Sequence, residues 1–220
     1  VLVITAADGD EGRQTEVFHA GANDFVCKPI VEEVLMARIR SLLLIKQQFV
    51  ALKSQTEEMR VLATTDSLTG VRNKRFLLDY GQQLLADRRS QPVSVMLLDI
   101  DHFKLINDTF GHQVGDHVLT GLTRQLEEDL RDIDIFGRWG GEEFLCILPN
   151  TQLPEAAYCA ERLRAGLEST RLVTTFPEQV ITASFGVGTS QPEETTDTLL
   201  QRIDAGEIAV VAAPSQETQG

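Results

Sequence analysis

The sequence predicts a mixed α/β (α+β) protein whose larger domain is a ferredoxin-like or palm-like β-α-β-β-α-β unit with an antiparallel sheet. Three observations carry that reading. Val93–Leu98 is a continuous apolar run that ends in Asp99. A helical pattern follows to about Leu130, with apolar residues at Val118, Leu119, Leu122 and Leu126. Ile133–Trp139 and Phe144–Leu148 are two further apolar segments joined through Gly140-Gly141, a hairpin signal.

Taken in order, residues 1–30 read as strand, loop, helix and strand, part of a doubly wound parallel sheet too short to bury a core alone. Val1–Thr5 and Asp24–Cys27 are the strands, Asp8–Gly12 is a polar turn and Glu11–Ala20 a short helical pattern. Residues 31–63 read as a helical stalk: Leu42, Ile45, Phe49, Leu52, Thr56 and Met59 recur at alternating steps of 3 and 4, the seam of a coiled coil or of a plain amphipathic helix. Residues 64–211 form the main domain, in which a helix starts at Pro154 and runs to about Ser169, and Val180–Thr189 is its last strand, with the helices expected on one face of the sheet. Residues 212–220 are small and polar, a loose tail. The absence of an initiator Met and the opening inside a strand point to a fragment of something longer.

With 20 Lys+Arg against 33 Asp+Glu the net charge is −13 and the pI about 4.7, which argues against a nucleic-acid coat or a basic membrane-surface protein. A nucleotide substrate stays open, because Mg²⁺ brings phosphates to carboxylates. No run of 18 apolar residues marks a membrane span. Cys27, Cys146 and Cys159 lack CxxC spacing and read as reduced, mostly buried thiols of a cytoplasmic protein. His19, His102 and His117 have no metal-ligand spacing, and Trp139 and Cys146 read as packing residues.

Four acidic residues stand where a small sheet gathers carboxylates: Asp99 and Asp101 at a strand end, Glu142 and Glu143 after the double glycine. Taken singly, an Asp-x-Asp is a cap or a solvated turn, and Gly-Gly is a tight turn. Together they fit a Mg²⁺ site over a triphosphate.

Gly140-Gly141-Glu142-Glu143-Phe144 resembles the signature of the GGDEF family of diguanylate cyclases, in its GGEEF spelling. Other segments resemble that family in the same order. They are Thr65-Asp66-Ser67-Leu68-Thr69-Gly70-Val71-Arg72-Asn73, Asp99 through Asp108, Gly111-His112-Gln113-Val114-Gly115-Asp116 and Ser184-Phe185-Gly186-Val187. The resemblance implies condensation of two GTP into cyclic di-GMP with release of two pyrophosphates, one GTP per protomer of a homodimer. It implies that Asp99, the Ile100 carbonyl and Glu142, completed by Glu143, hold Mg²⁺ or Mn²⁺, two per active site, with Glu142 as base for the ribose 3′-OH. Amides near Phe103 and Lys104 would cradle phosphates. Gly140 and Gly141 would let backbone approach them, Asn107 and Asp116 would bind the guanine edge, and His112 would lie nearby. Arg131 and Asp134 resemble the family's RxxD product-inhibition site, with Arg162 as its second arginine. Arg138 is expected to support the hairpin.

Residues 1–30 resemble the second half of a response-regulator receiver, with Thr5 and Lys28 as its switch and phosphate-binding residues. The parent would then pair with a histidine kinase, and phosphorylation would drive dimerisation through the stalk. The tail departs from the family, whose final helix carries a Tyr and a phosphate-holding Lys. Here Ile208 and Val211 stand at those positions, and Gly206 with three β-branched residues makes a poor helix. That departure keeps a second reading open: a catalytically impaired domain that senses cyclic di-GMP.

Overall fold

The computed structural model describes residues 1–5, 15–16, 18–170, 180–206 and 210–211. The expected turn at Asp8–Gly12, half of the Glu11–Ala20 helical pattern and the tail at 212–220 lie outside the described residues. The chain divides into two compact units, Val1–Arg60 and Val61–Gly220.

In the first unit, β1 (Leu2–Thr5) and β2 (Asp24–Cys27) pair in parallel with Leu2 opposite Asp24 and Thr5 opposite Cys27. Cys27 is exposed rather than buried, because it ends β2 where little chain covers it. The long helix α1 spans Glu32–Thr64, about 50 Å at 1.5 Å per residue, and buries none of its residues. Its seam lies open: Ile45, Phe49, Leu52 and Met59 are 57%, 67%, 63% and 70% exposed.

The second unit is built on one six-stranded sheet. Its elements are β3 (Arg72–Asn73), α2 (Lys74–Ala86), β4 (Ser94–Ile100), α3 (Phe103–Phe110), α4 (His112–Asp129), β5 (Ile135–Gly140) and β6 (Glu143–Leu148). Then come α5 (Leu153–Ser169), β7 (Ala183–Thr189), α6 (Thr196–Asp204) and β8 (Val210–Val211). The strand order is β3-β5-β6-β4-β7-β8. The central four, β5-β6-β4-β7, are antiparallel throughout, so each helical crossover skips one strand, as in a ferredoxin-like sheet. β3 adds to β5 in parallel at one edge, and β8 pairs antiparallel with β7 at the other.

Helices cover both faces of this sheet, where one face was expected. Met96, Leu98, Phe144, Cys146 and Phe185 pack under Leu122 and Leu126 of α4 and Leu163 and Leu167 of α5. Val95, Leu145 and Ile147 point the other way, against Leu77 of α2 and Leu199, Leu200 and Ile203 of α6. The physical sign was in the strands themselves. Leu145–Leu148 is buried at every position, and a strand that is apolar on both faces needs a layer on each.

The C-terminal segment behaves as its residues dictate. α6 stops at Asp204, Gly206 takes φ +73, and Val210 and Val211 join the sheet opposite Gly186 and Phe185. Glu207-Ile208-Ala209 lie outside the described residues. Val211 is therefore a strand residue at the place where the resemblance expects a helical lysine.

Candidate active site

β4 is flanked on both sides and delivers Asp99 to the end of the sheet, opposite Glu143 of β6 and Ser184 of β7. Neighbouring Leu98 and Ile100 are buried while Asp99 is exposed, the alternation of a pleated strand leaving its partner layer. Partial enclosure there, with the charges of Glu142, Glu143 and Asp101 acting in the same direction, pushes the Asp99 carboxyl up to about 6. Asp101 is otherwise engaged. Its carboxylate accepts from Ser184 Oγ at 2.7 Å and its amide donates to the Thr182 carbonyl at 3.0 Å.

Glu142 sits in a two-residue turn closed by the Gly140–Glu143 pair, with Gly141 at φ +54, a conformation that favours glycine. Arg138 holds this turn. Its Nε and Nη2 donate to the Gly141 carbonyl at 2.9 and 2.7 Å, and its Nη1 donates to Asp66 Oδ1 at 3.2 Å. Asp66 also accepts from the Thr69 amide at 3.0 Å and the Thr69 hydroxyl at 2.7 Å. Burial alone would raise the Asp66 carboxyl, but the Thr69 hydrogen bonds and the Arg138 charge outweigh it and hold the group below its ordinary value. On the other side of the strand, Lys74 Nζ lies 4.1 Å from the centroid of the half-buried Trp139 ring.

After Asp101 the chain turns through His102, at φ 57 and ψ 25, into α3, whose first turn carries no side-chain cap. The amides at Phe103 and Lys104 thus open the helix without an intramolecular acceptor from a capping side chain. Phe103 is buried and Lys104 exposed. Asn107 is half-buried, and the space beside it belongs to a missing side chain: a Cβ at Gly115 of α4 would lie 2.0 Å from Asn107 Oδ1. His112 and Asp116, on the first two turns of α4, are exposed. The expected carboxylates, helix start and guanine-edge residues therefore all arise from β4, the hairpin and the α3–α4 pair. Among the described residues, no group of three or more His, Cys, Asp or Glu side chains closes into a ready metal cage.

A second cluster forms where α4 passes into β5. The Arg131 amide donates to Asp134 Oδ2 at 2.9 Å, while Asp134 Oδ1 is buried without a partner. Burial raises the Asp134 carboxyl despite that hydrogen bond and the nearby charges of Arg131 and Arg162. Arg162 of α5 donates to the Asp129 carbonyl at 2.7 Å, which brings it to the same corner. A groove of about 500 Å³ opens beside Arg131 and Asp134, and its far wall is Gly70, Val71 and Arg72. Arg72 stands in the Thr65–Asn73 segment that the sequence singles out, but no role of its own attaches to it there; the β3–β5 pairing brings it to this groove. In the first unit, Thr5 ends β1 and its carbonyl accepts from the Lys28 amide at 3.0 Å, so the two expected receiver residues adjoin through backbone.

Residues 63–212 match the family described as "Diguanylate cyclase, GGDEF domain". The chain belongs to that family. It is 37% identical over 211 residues to the response regulator PleD of Caulobacter vibrioides, covering 94% of this chain and 46% of PleD. It is also 37% identical over 174 residues to the diguanylate cyclase DgcP of Pseudomonas aeruginosa, covering 78% of this chain and 26% of that protein. The chain thus spans less than half the length of these curated relatives. Among solved structures it resembles the coiled coil and GGDEF domain of DgcB from Caulobacter crescentus in complex with c-di-GMP. That match has a TM-score of 0.70 at 30% identity, over 78% of this chain and 91% of that one. It also resembles the active GGEEF domain of a diguanylate cyclase from Vibrio cholerae, with a TM-score of 0.56 at 33% identity, over 60% and 86%.

Proposed function

We propose that the protein is a diguanylate cyclase that condenses two GTP into cyclic di-GMP and two pyrophosphates at the interface of a homodimer. One observation carries this reading: Asp99 and Glu143 face each other across β4 and β6 with Glu142 on the adjoining glycine turn, and burial together with these charges raises Asp99. Such a cluster is unstable alone and fits a hard divalent cation. Carboxylates of Asp99, Glu142 and Glu143 and the carbonyl of Ile100 are the oxygen donors Mg²⁺ and Mn²⁺ take. A cation held there would neutralise charge on the triphosphate during attack on the α-phosphate.

The chain's own groups do the rest. The uncapped amides at Phe103 and Lys104 receive phosphate oxygens at a helix start. The Asn107 amide donates and accepts along the guanine edge, and the Asp116 carboxylate accepts from its N–H groups. Gly140 and Gly141 leave room for phosphate beside the turn. Glu142 takes the proton from the ribose 3′-OH, and Arg138 positions Glu142 by fixing the turn.

Product feedback at Arg131, Asp134 and Arg162 belongs to the same proposal. The unpaired, buried Asp134 Oδ1 supports it, since a guanine N–H would supply the missing donor. Thr5 and Lys28 support a receiver remnant, hence a parent that is a response regulator served by a histidine kinase in the cytoplasm. No described helix is long and apolar enough to cross a membrane. The exposed seam of α1 supports dimerisation through the stalk.

A second reading, a cyclic di-GMP sensor without turnover, is favoured by Val211 on β8 in place of a lysine. GTP turnover in the parent and in Glu142→Ala separates the two. Turnover lost in Glu142→Ala with product binding kept supports the cyclase, and a parent that binds product but never turns over supports the sensor.

A further inference from the structure

We propose that Arg72 is a third arginine of the product site, whose guanidinium face stacks on a purine base of the bound cyclic dinucleotide. This rests on the product-site reading above and names a contact that reading lacks. The placement begins with glycine. Arg72 of β3 is in register with Gly137 of β5, and a Cβ at Gly137 would fall 2.3 Å from the Arg72 carbonyl oxygen. Only a residue without a side chain lets β3 come this close, and the approach sets Arg72 across the groove from Arg131 and Asp134.

The Arg72 guanidinium carbon lies 4.4 Å from the centroid of the Phe76 ring, and Phe76 in turn stacks on Tyr80 at 5.4 Å with an interplanar angle of 11°. One face of the cation is thus fixed on a two-ring column. Arg72 is half-buried and lines the groove, and its contact with Phe76 engages one face of the guanidinium. A planar cation already held on one side is a ready platform for a purine, and less side-chain entropy is lost when the base arrives.

The charges around the groove select the ligand class. Arg72 and Arg131 are joined there by Glu127, Asp132 and Asp134. A bare phosphate would meet carboxylates as well as arginines. A guanine dinucleotide satisfies both, with N–H edges for the carboxylates, Asp134 Oδ1 first, and phosphates and base faces for the arginines. The groove, about 500 Å³, is of the size that encloses a ligand much larger than phosphate.

Isothermal titration of cyclic di-GMP into the full chain, without GTP, tests this. Base stacking of this kind predicts a Kd about tenfold weaker or more for Arg72→Ala. Arg72→Lys keeps the charge and loses the planar face, so it should recover little of that loss. Thermal unfolding of each variant shows that it is folded. Arg131→Ala is the control for the underlying reading. If Arg131→Ala destroys binding while Arg72→Ala stays within twofold of the parent, Arg72 is not in the site. If Arg72→Lys restores full affinity, charge rather than stacking acts and the proposal fails. If Arg131→Ala leaves binding intact, the product-site reading itself falls.

Discussion

Replacing Gly115 by Ala adds one methyl group, which should disable recognition of the guanine. The new Cβ would stand 2.0 Å from Asn107 Oδ1, 3.0 Å from its Cγ and 3.2 Å from Phe103 Cζ. A carbon and an oxygen in van der Waals contact sit more than an ångström farther apart than the first of these, so the Asn107 amide must rotate away. Two gains and losses compete. Alanine favours a helix over glycine by about 1 kcal/mol. Losing a two-point amide contact to a base removes about 1–3 kcal/mol of binding, and overpacking, if α3 and α4 spread instead, removes about 1–3 kcal/mol of stability. The first predicts a GTP KM raised about tenfold to a hundredfold with kcat less affected, and the second a lowered Tm. Initial rates against GTP and ITP, with unfolding followed in parallel, separate them. In an Asn107→Ala background Gly115→Ala should add nothing to KM, because its target is gone. A folded Gly115→Ala protein with a GTP KM within twofold of the parent would refute the reasoning.

Other predictions follow from the same geometry. Arg138→Ala frees the Gly141 carbonyl and strands the partly buried Asp66, so stability should fall by about 1–3 kcal/mol in denaturant titration and turnover should fall with it; unchanged turnover would remove Arg138 as the residue that fixes the turn. Asp99 is raised to about 6, so below that pH a proton competes with the cation, and Mn²⁺ affinity measured by calorimetry should drop between pH 7.5 and pH 5. Folding without metal has the opposite pH dependence: a carboxyl whose folded value lies above its unfolded one favours the folded state at low pH, and that contribution is lost as pH rises through about 6. Added Mn²⁺ should reverse that trend, and a Tm that rises with pH without metal would contradict it. Phe49→Asp in the exposed α1 seam should shift the protein toward monomer in light scattering, and an unaltered dimer would place the interface elsewhere.

Much of the main domain was legible because its strands announce themselves. Val93–Leu98 and Phe144–Leu148 are apolar runs, and the double glycine between strands gave the hairpin, confirmed with Gly141 at φ +54. Helices α2 and α6 were not. Gly81 breaks the α2 pattern, yet it faces Thr196 so closely that a Cβ would lie 3.0 Å from Thr196 Oγ1; the glycine that hides the helix lets it pack on α6. Asp99, Glu142 and Glu143 were readable from strand ends and turns. The bond from Arg138 to Asp66 spans 72 residues, and no local spacing encodes it. The place of Arg72 at the groove was unreadable for the same reason, because a two-residue strand at the sheet edge carries almost no periodicity. Of the expected poor helix near the C-terminus, the described residues fit: the helix ends at Asp204, Gly206 takes positive φ and Val210–Val211 form a strand.

The most direct test of the central claim is GTP turnover with Mg²⁺ at protein concentrations high enough to favour dimers, with the product identified by chromatography. Cyclic di-GMP is expected from the parent chain and none from Glu142→Ala. A dimeric parent that binds cyclic di-GMP yet forms none from GTP would contradict it and leave the sensor in its place.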